Sequence, residues 1–205
     1  LCLFGSCDEN TNVKPSDSTS QEPMVNLYEN NIAKFTIVRP ASSSDEEFNA
    51  SYKLTNAFSK IEVQIESIRD MDKESEYEIL IGETNRSQSI EANKMLKVND
   101  YIITFSGTKI VITGGSPLAT YNAAERFINE YLTEGNSSIP KSMCITEKGT
   151  YAITDLQING VDIKEYNIIR SKTANKIEIY ACDYLRDEIK ERTGINLDIL
   201  NDSSD

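Results

Sequence analysis

Histidine is absent from all 205 residues. Its absence removes the commonest general base and the commonest zinc ligand, and with them any Ser-His-Asp or Cys-His triad within the chain. Cysteine is scarce. Cys2, Cys7, Cys144 and Cys182 stand too far apart for a Cys-x-x-Cys metal knuckle or a dense disulfide framework, and Cys144 with Cys182 is the one candidate bridge. Clustered Lys and Arg are missing too: 21 basic against 33 acidic residues give a formal charge of -12 and a pI near 4.6. Binding a phosphate backbone requires basic clusters that displace counterions, so no nucleic-acid partner is expected. No apolar run approaches the 18 or more residues that would cross a bilayer. No metal and no cofactor is expected from these residue types. At 205 residues the chain is also short of the roughly 250 typical of a (β/α)8 barrel.

What is present is ordinary globular material, 39% hydrophobic and 26% charged, enough for one good core and a smaller second one. The chain opens Leu1-Cys-Leu-Phe-Gly-Ser-Cys7, with small residues directly before a cysteine, apolar residues upstream and a polar run downstream. This stretch resembles the lipobox of bacterial lipoproteins, and the resemblance implies that Cys7 is the lipidation position. Phe4 stands where Leu is usual, and the basic n-region is missing. Residues 8–26 are rich in Ser, Thr, Asn, Asp and Pro and have too few apolar side chains to offset ordering entropy. They are expected to be a disordered tether behind a signal-peptide remnant at 1–7. On that reading the protein is extracellular, held at the cell surface, and meets the membrane only through its lipid.

From Lys34 the pattern changes. Phe35-Thr-Ile-Val38 reads as a strand, and Ser44 or Asp45 can cap a helix whose apolar positions are Ala50, Leu54, Ala57, Phe58 and Ile61. Glu62 to Glu66 alternates like a half-buried strand. Glu78 to Ile81 is the next strand, Ser87 to Leu96 a short helix, and Tyr101 to Phe105 a strand that turns through Ser106-Gly-Thr-Lys109 into Ile110 to Thr113. Ser116 caps a last helix with Pro117 at its first position, and Leu118, Tyr121, Ala124, Ile128, Tyr131 and Leu132 line one side of it. The order predicts an α+β fold, an α/β sandwich with two helices on one face of a mixed sheet. Its first strand, helix and second strand should form a parallel unit.

The chain then partly repeats itself. Glu165 to Arg170 echoes Lys34 to Arg39, and the same offset sets Ala181 on Ala50, Leu185 on Leu54 and Ile189 on Phe58. Asn196-Leu-Asp-Ile199 echoes Glu62-Val-Gln-Ile65 after a short insertion. The copy stops before the later strands and second helix, so the sequence reads as a product truncated at both ends. The expected organisation is an α/β domain at 27–135, a linker at 136–154 and an incomplete second repeat, strand-helix-strand, at 155–205.

With these elements in place, Glu78-Ile-Leu-Ile-Gly-Glu-Thr-Asn-Arg86, Tyr101-Ile-Ile-Thr104, Lys109-Ile-Val-Ile-Thr-Gly-Gly-Ser116 and Ala123-Ala-Glu-Arg-Phe-Ile-Asn-Glu-Tyr-Leu132 resemble the small noncatalytic α/β domain of family-20 hexosaminidases and α-glucuronidases. The resemblance covers about residues 34–135 and, more faintly, 165–200. It implies an accessory module without catalytic residues, in a secreted hydrolase whose barrel is not in this chain. The implied partner is a neighbouring catalytic domain or a carbohydrate.

Glu83, Thr84, Asn85 and Arg86 form the candidate contact elbow: a carboxylate, an amide and a guanidinium at a strand end suit a ligand, but the same residues read first as a turn around Gly82 and the cap of the following helix. Thr113-Gly-Gly-Ser-Pro117 lies where phosphate loops lie but lacks their fingerprint, and reads as a tight left-handed turn into a capped helix. Asp45, Glu46 and Glu47, like Asp187 and Glu188, fall on helical faces open to solvent, and Tyr121 and Tyr131 fall in phase with a core stripe. No catalytic residue is assigned. A carbohydrate-binding surface protein and a small hydrolase using only Asp and Glu remain the competing classes.

Overall fold

The computed structural model describes residues 22–94, 96–133 and 138–202. They divide into two compact units, one reaching to Leu96 and resuming at Asp100–Glu147, the other formed by Lys97–Asn99 and Lys148 onward.

The first unit is built on a six-stranded mixed sheet. Its strands are β4 (Thr36–Arg39), β5 (Ser67–Arg69), β6 (Glu78–Ile81), β7 (Tyr101–Ser106), β8 (Lys109–Gly114) and β10 (Cys144–Glu147). They lie in the order β10-β7-β8-β6-β4-β5, with the last four mutually parallel and β7 antiparallel to both its neighbours. Every residue of β6 and β8 is buried, as befits strands covered on both faces. Two short antiparallel pairs complete the unit: β1 (Met24–Asn26) with β9 (Ser138–Pro140), and β2 (Tyr28–Glu29) with β3 (Ile32–Ala33).

Helices α1 (Asp45–Lys60) and α3 (Pro117–Tyr131) share one face of the sheet, as the sequence predicts. α1 starts where its sequence says it should: Ser44 and Glu47 form a reciprocal capping box, and Asp45, Glu46 and Glu47 fill the first turn. Ala50, Leu54, Ala57 and Phe58 are its buried face. Ser116 caps α3, with Pro117 in its first turn.

On α3 the expected stripe holds except at Leu118: Ala124 and Leu132 are buried, and Tyr121, Ile128 and Tyr131 pack half-buried against the core. Ala119, Ala123, Ala124 and Phe127 are buried, whereas Leu118 lies in solvent. Alanines let α1 and α3 approach closely, and that small-residue face wins over the bulkier Leu118. The short helix α2 (Ser87–Asn93) covers the opposite sheet face, where Val38, Leu80, Ala92 and Val111 make a second small core.

Three boundaries move. The residues expected to end the tether form β1, and the expected linker contains β9 and β10, because β1 and β7 each have an edge with unpaired backbone groups that these segments satisfy. The strand expected at Glu62–Glu66 is displaced to β5, with only Gln64 bridging to Ile32. Residues 1–21, including the proposed lipidation residue Cys7, lie outside the described residues. Cys182 is a free thiol, so the Cys144–Cys182 bridge does not form.

In the second unit the hairpin β11 (Gln157–Ile158) and β12 (Val161–Asp162) turns at Asn159-Gly160, both at positive φ. It leads through a 3₁₀ turn into β13 (Ile168–Arg170), α4 (Lys176–Thr193) and β14 (Ile199–Asn201). β13 and β14 pair in parallel. Asn175 and Glu178 form the capping box of α4, and Gly194 ends it at φ 73°. Among the described residues, no helix is long and apolar enough to cross a membrane.

Candidate functional site

Three parallel strands, β4, β5 and β6, end together around the elbow at Gly82–Arg86. The carboxyl ends of strands are where open α/β sheets usually receive ligands. At this edge, however, the side chains bind one another.

Gly82 makes the turn at φ 74°, and a Cβ there would collide with Glu47 Oε1 in the first turn of α1. Ser89, fully buried, donates from its hydroxyl to the Gly82 carbonyl and accepts from the Thr84 amide at 2.9 Å. Thr84 is itself buried, and its hydroxyl accepts from the Arg86 amide at 3.3 Å. Neither Thr84 nor Asn85 is the cap residue of α2: Arg86 occupies that position, and its own side chain makes no capping hydrogen bond.

Asp70, just beyond β5, fastens the edge. Its two carboxylate oxygens accept from the Ala41 and Asn85 amides, each at 2.9 Å. Its carbonyl accepts from Asn85 Nδ2 at 2.8 Å and Arg86 Nη1 at 2.7 Å.

Arg86 turns inward, away from Glu83. Its guanidinium runs back beside β6 to Glu78, with Nε 3.1 Å from Oε2 and Nη2 3.3 Å from Oε1, and donates further to the Asp72 carbonyl at 3.2 Å. Glu78 is fully buried. It also accepts from Lys109 Nζ at 2.8 Å and from the Ser75 amide at 2.9 Å, and the buried Lys109 pairs in addition with the exposed Glu74. Burial alone would push the Glu78 carboxyl up, but the hydrogen bonds from Arg86, Lys109 and Ser75 outweigh it and hold the group below its ordinary value. Two cations face two carboxylates, so the cluster is neutral in sum. Glu83 remains in solvent.

The Thr113 to Pro117 loop is equally self-contained. The Gly114 amide donates to Thr120 Oγ1 and the Gly115 amide to the Asp100 carbonyl, each at 2.9 Å. The turn is not left-handed: neither Gly114 nor Gly115 is among the glycines at positive φ. A Cβ on Gly114 would meet Ala119 at 2.5 Å, so close helix packing explains that glycine.

The acidic helical residues are surface groups. Asp45 and Glu46 are exposed, Glu47 is held in its capping box, and Glu188 pairs with Arg192 at 2.8 Å. Among the described residues, no group of three His, Cys, Asp or Glu side chains is placed to hold a metal ion.

The feature that sequence reasoning missed is a shallow groove of about 400 Å³ between α1 and α3, lined by Glu46, Asn49, Tyr52, Lys53, Asn56, Leu118 and Tyr121. Lys53 donates to the Tyr121 hydroxyl at 2.9 Å and pairs with Glu125, which together raise its pKa above the ordinary lysine value. Beside the groove the exposed Phe48 stacks on Tyr52 at 6.4 Å, with the Arg39 guanidinium 5.2 Å from the Phe48 ring centre. The available signal was an aromatic pair one helical turn apart, off the buried face of α1. The cluster around Glu78 had a signal too. Glu78 and Lys109 each open a strand that is otherwise almost wholly apolar.

No known family pattern and no curated protein matches the chain. Among solved structures it is similar to a GH138 enzyme targeting pectin rhamnogalacturonan II, with a TM-score of 0.39 and 12% identity over 55% of this chain and 15% of that one. It is also similar to CpGH84D, with a TM-score of 0.46 and 13% identity over 68% of this chain and 24% of that one. Both are glycoside hydrolase family enzymes, the likeness is loose, and the chain spans less than a quarter of either length.

Proposed function

We propose that this chain is a noncatalytic accessory module of a secreted carbohydrate-active or other hydrolase, held at the cell surface through lipid on Cys7, with the catalytic domain supplied outside these residues. The observation that carries the reading is the Arg86–Glu78 pair. At the strand edge where a ligand would be received, the guanidinium is turned into the protein and its carboxylate partner is fully buried, so the polar groups brace the sheet. The order of motifs between Glu78 and Leu132, which resembles accessory domains of hexosaminidases, points the same way. The module's role is then mechanical: a rigid sheet, clamped at its carboxyl edge, that supports a neighbouring domain.

The groove beside α1 favours a second reading, a self-sufficient carbohydrate-binding surface. Tyr52 and Tyr121 offer ring faces, while Asn49, Asn56 and Glu46 offer hydrogen-bonding groups. One set of measurements separates the readings. The protein is incubated with aryl glycosides and titrated with oligosaccharides by calorimetry. The accessory reading expects neither turnover nor heat. Binding lost in Tyr52→Ala would transfer the assignment to the groove, and turnover lost in Glu83→Gln would transfer it to hydrolysis by carboxylates.

A further inference from the structure

The chain carries one arrangement twice, down to single hydrogen bonds. In the first unit the Arg39 carbonyl accepts from the Asp70 amide at 2.8 Å, and Asp70 Oδ1 accepts from the Ala41 amide at 2.9 Å. In the second, the Arg170 carbonyl accepts from the Asp202 amide at 2.7 Å, and Asp202 Oδ1 accepts from the Lys172 amide at 3.2 Å. The capping boxes Ser44–Glu47 and Asn175–Glu178 fall at matching positions. The parallel registers match as well, Ile37 opposite Ser67 and Ile168 opposite Ile199.

What differs is the covering. In the first unit the second edge of β4 takes β6, α3 buries Ala50 and Leu54 on α1, and α2 covers Val38 and Ile68 on the far face. Among the described residues of the second unit, β13 pairs with β14 alone. Leu185, in the place of Leu54, is 50% exposed, and Tyr180 and Tyr184 stack beside it in solvent at 68% and 56%. Ile169 and Leu200, in the places of Val38 and Ile68, are 57% and 45% exposed. A strand edge, a helix stripe and a sheet face are thus all open, and each has a covered counterpart in the first unit. A cluster of exposed large apolar side chains of this kind marks an interaction site.

We propose that these three surfaces form one docking site for a polypeptide segment following β14 in the source protein. That segment would supply a parallel strand on the β13 edge, a short helix over Ile169 and Leu200, and a long small-faced helix over Leu185, as residues 78–131 do in the first unit. A second copy of this chain fits less well, because a two-fold pairing of α4 and β13 with their own images leaves the Ile169–Leu200 face bare. The proposal holds whether or not the accessory reading does.

Hydrogen exchange tests it on two polypeptides, the 205-residue chain and the source protein read on past Asp205. Exchange at Ile168–Arg170 is expected to slow at least tenfold in the longer polypeptide. Leu185→Arg should reverse that protection there and leave the 205-residue chain unchanged. Equal exchange in both polypeptides, or a reading frame that stops at Asp205, overturns the proposal. Protection that grows with concentration in the 205-residue chain alone overturns it in favour of a second copy.

Discussion

Arg86 Nε lies 3.1 Å from Glu78 Oε2, and both side chains are out of solvent. Arg86→Ala leaves the buried Glu78 with Lys109 as its remaining cation, so the loss should exceed the under about 1 kcal/mol of an exposed pair and fall short of the roughly 3–5 kcal/mol of a buried charge left without a partner. Urea unfolding measures the difference, and a loss under about 1 kcal/mol would show that water reaches Glu78 freely.

Glu78 also fixes a pH dependence. Its folded pKa lies below the ordinary 4.5, so its ionised form stabilises the fold above that value, and the contribution is lost as pH falls through the lower, folded pKa. The stability gap between wild type and Glu78→Gln should be flat at neutral pH and narrow below about 4.5. Thermal melts across that range check it, and a gap that widens in acid contradicts the sign.

Gly82 and Gly107 provide a matched pair. Both sit at positive φ, but a Cβ on Gly82 meets Glu47 while one on Gly107 meets nothing. Gly107→Ala should cost only the backbone penalty of about 1 kcal/mol. Gly82→Ala should cost more, because Glu47 must leave the capping box that starts α1. Equal losses would mean that Glu47 moves aside freely.

The units should differ in autonomy. Buried apolar residues concentrate in the first, whereas the second buries Ile163 and Leu197 and leaves most of α4 wet. A fragment of residues 22–147 should melt cooperatively, and one of 148–205 should be marginal, with too little apolar area to offset chain entropy. Circular dichroism of the two fragments decides, and a cooperative melt of the shorter one refutes this.

Expression behind a complete signal peptide tests the anchor. The protein should partition into detergent and lose that behaviour in Cys7→Ser. Unchanged partitioning removes Cys7 from the proposal.

Much of the fold was legible because its signals are local. Ser44, Glu47 and the spacing Ala50, Leu54, Phe58 lie within a few turns of one another, and each is decided by its own helix. On α3 Leu118 alone was misplaced, because hydropathy weights it above Ala119, whereas the close approach to α1 favours the smaller side chain. α2 carries no apolar stripe in Ser87-Gln-Ser-Ile-Glu-Ala-Asn93, so nothing in it announced the sheet face it covers. At the elbow, sequence named Thr84, Asn85 and Arg86 but not the partners they bind. Asp70 meets Asn85, and Glu78 meets Arg86 and Lys109, only once β8, β6, β4 and β5 stand side by side.

The pairing of Met24–Asn26 with Ser138–Pro140 joins nearly the two ends of the first unit. That strand pair cannot form until Pro140 has left the ribosome, on the order of ten seconds after Asn26 at ordinary elongation rates. Over that interval the nascent chain holds β1 without its partner, and such long-range pairings are slow to close. Closure of the first unit therefore waits on synthesis of nearly all of it, and until then the β1 edge stands with its backbone groups unpaired.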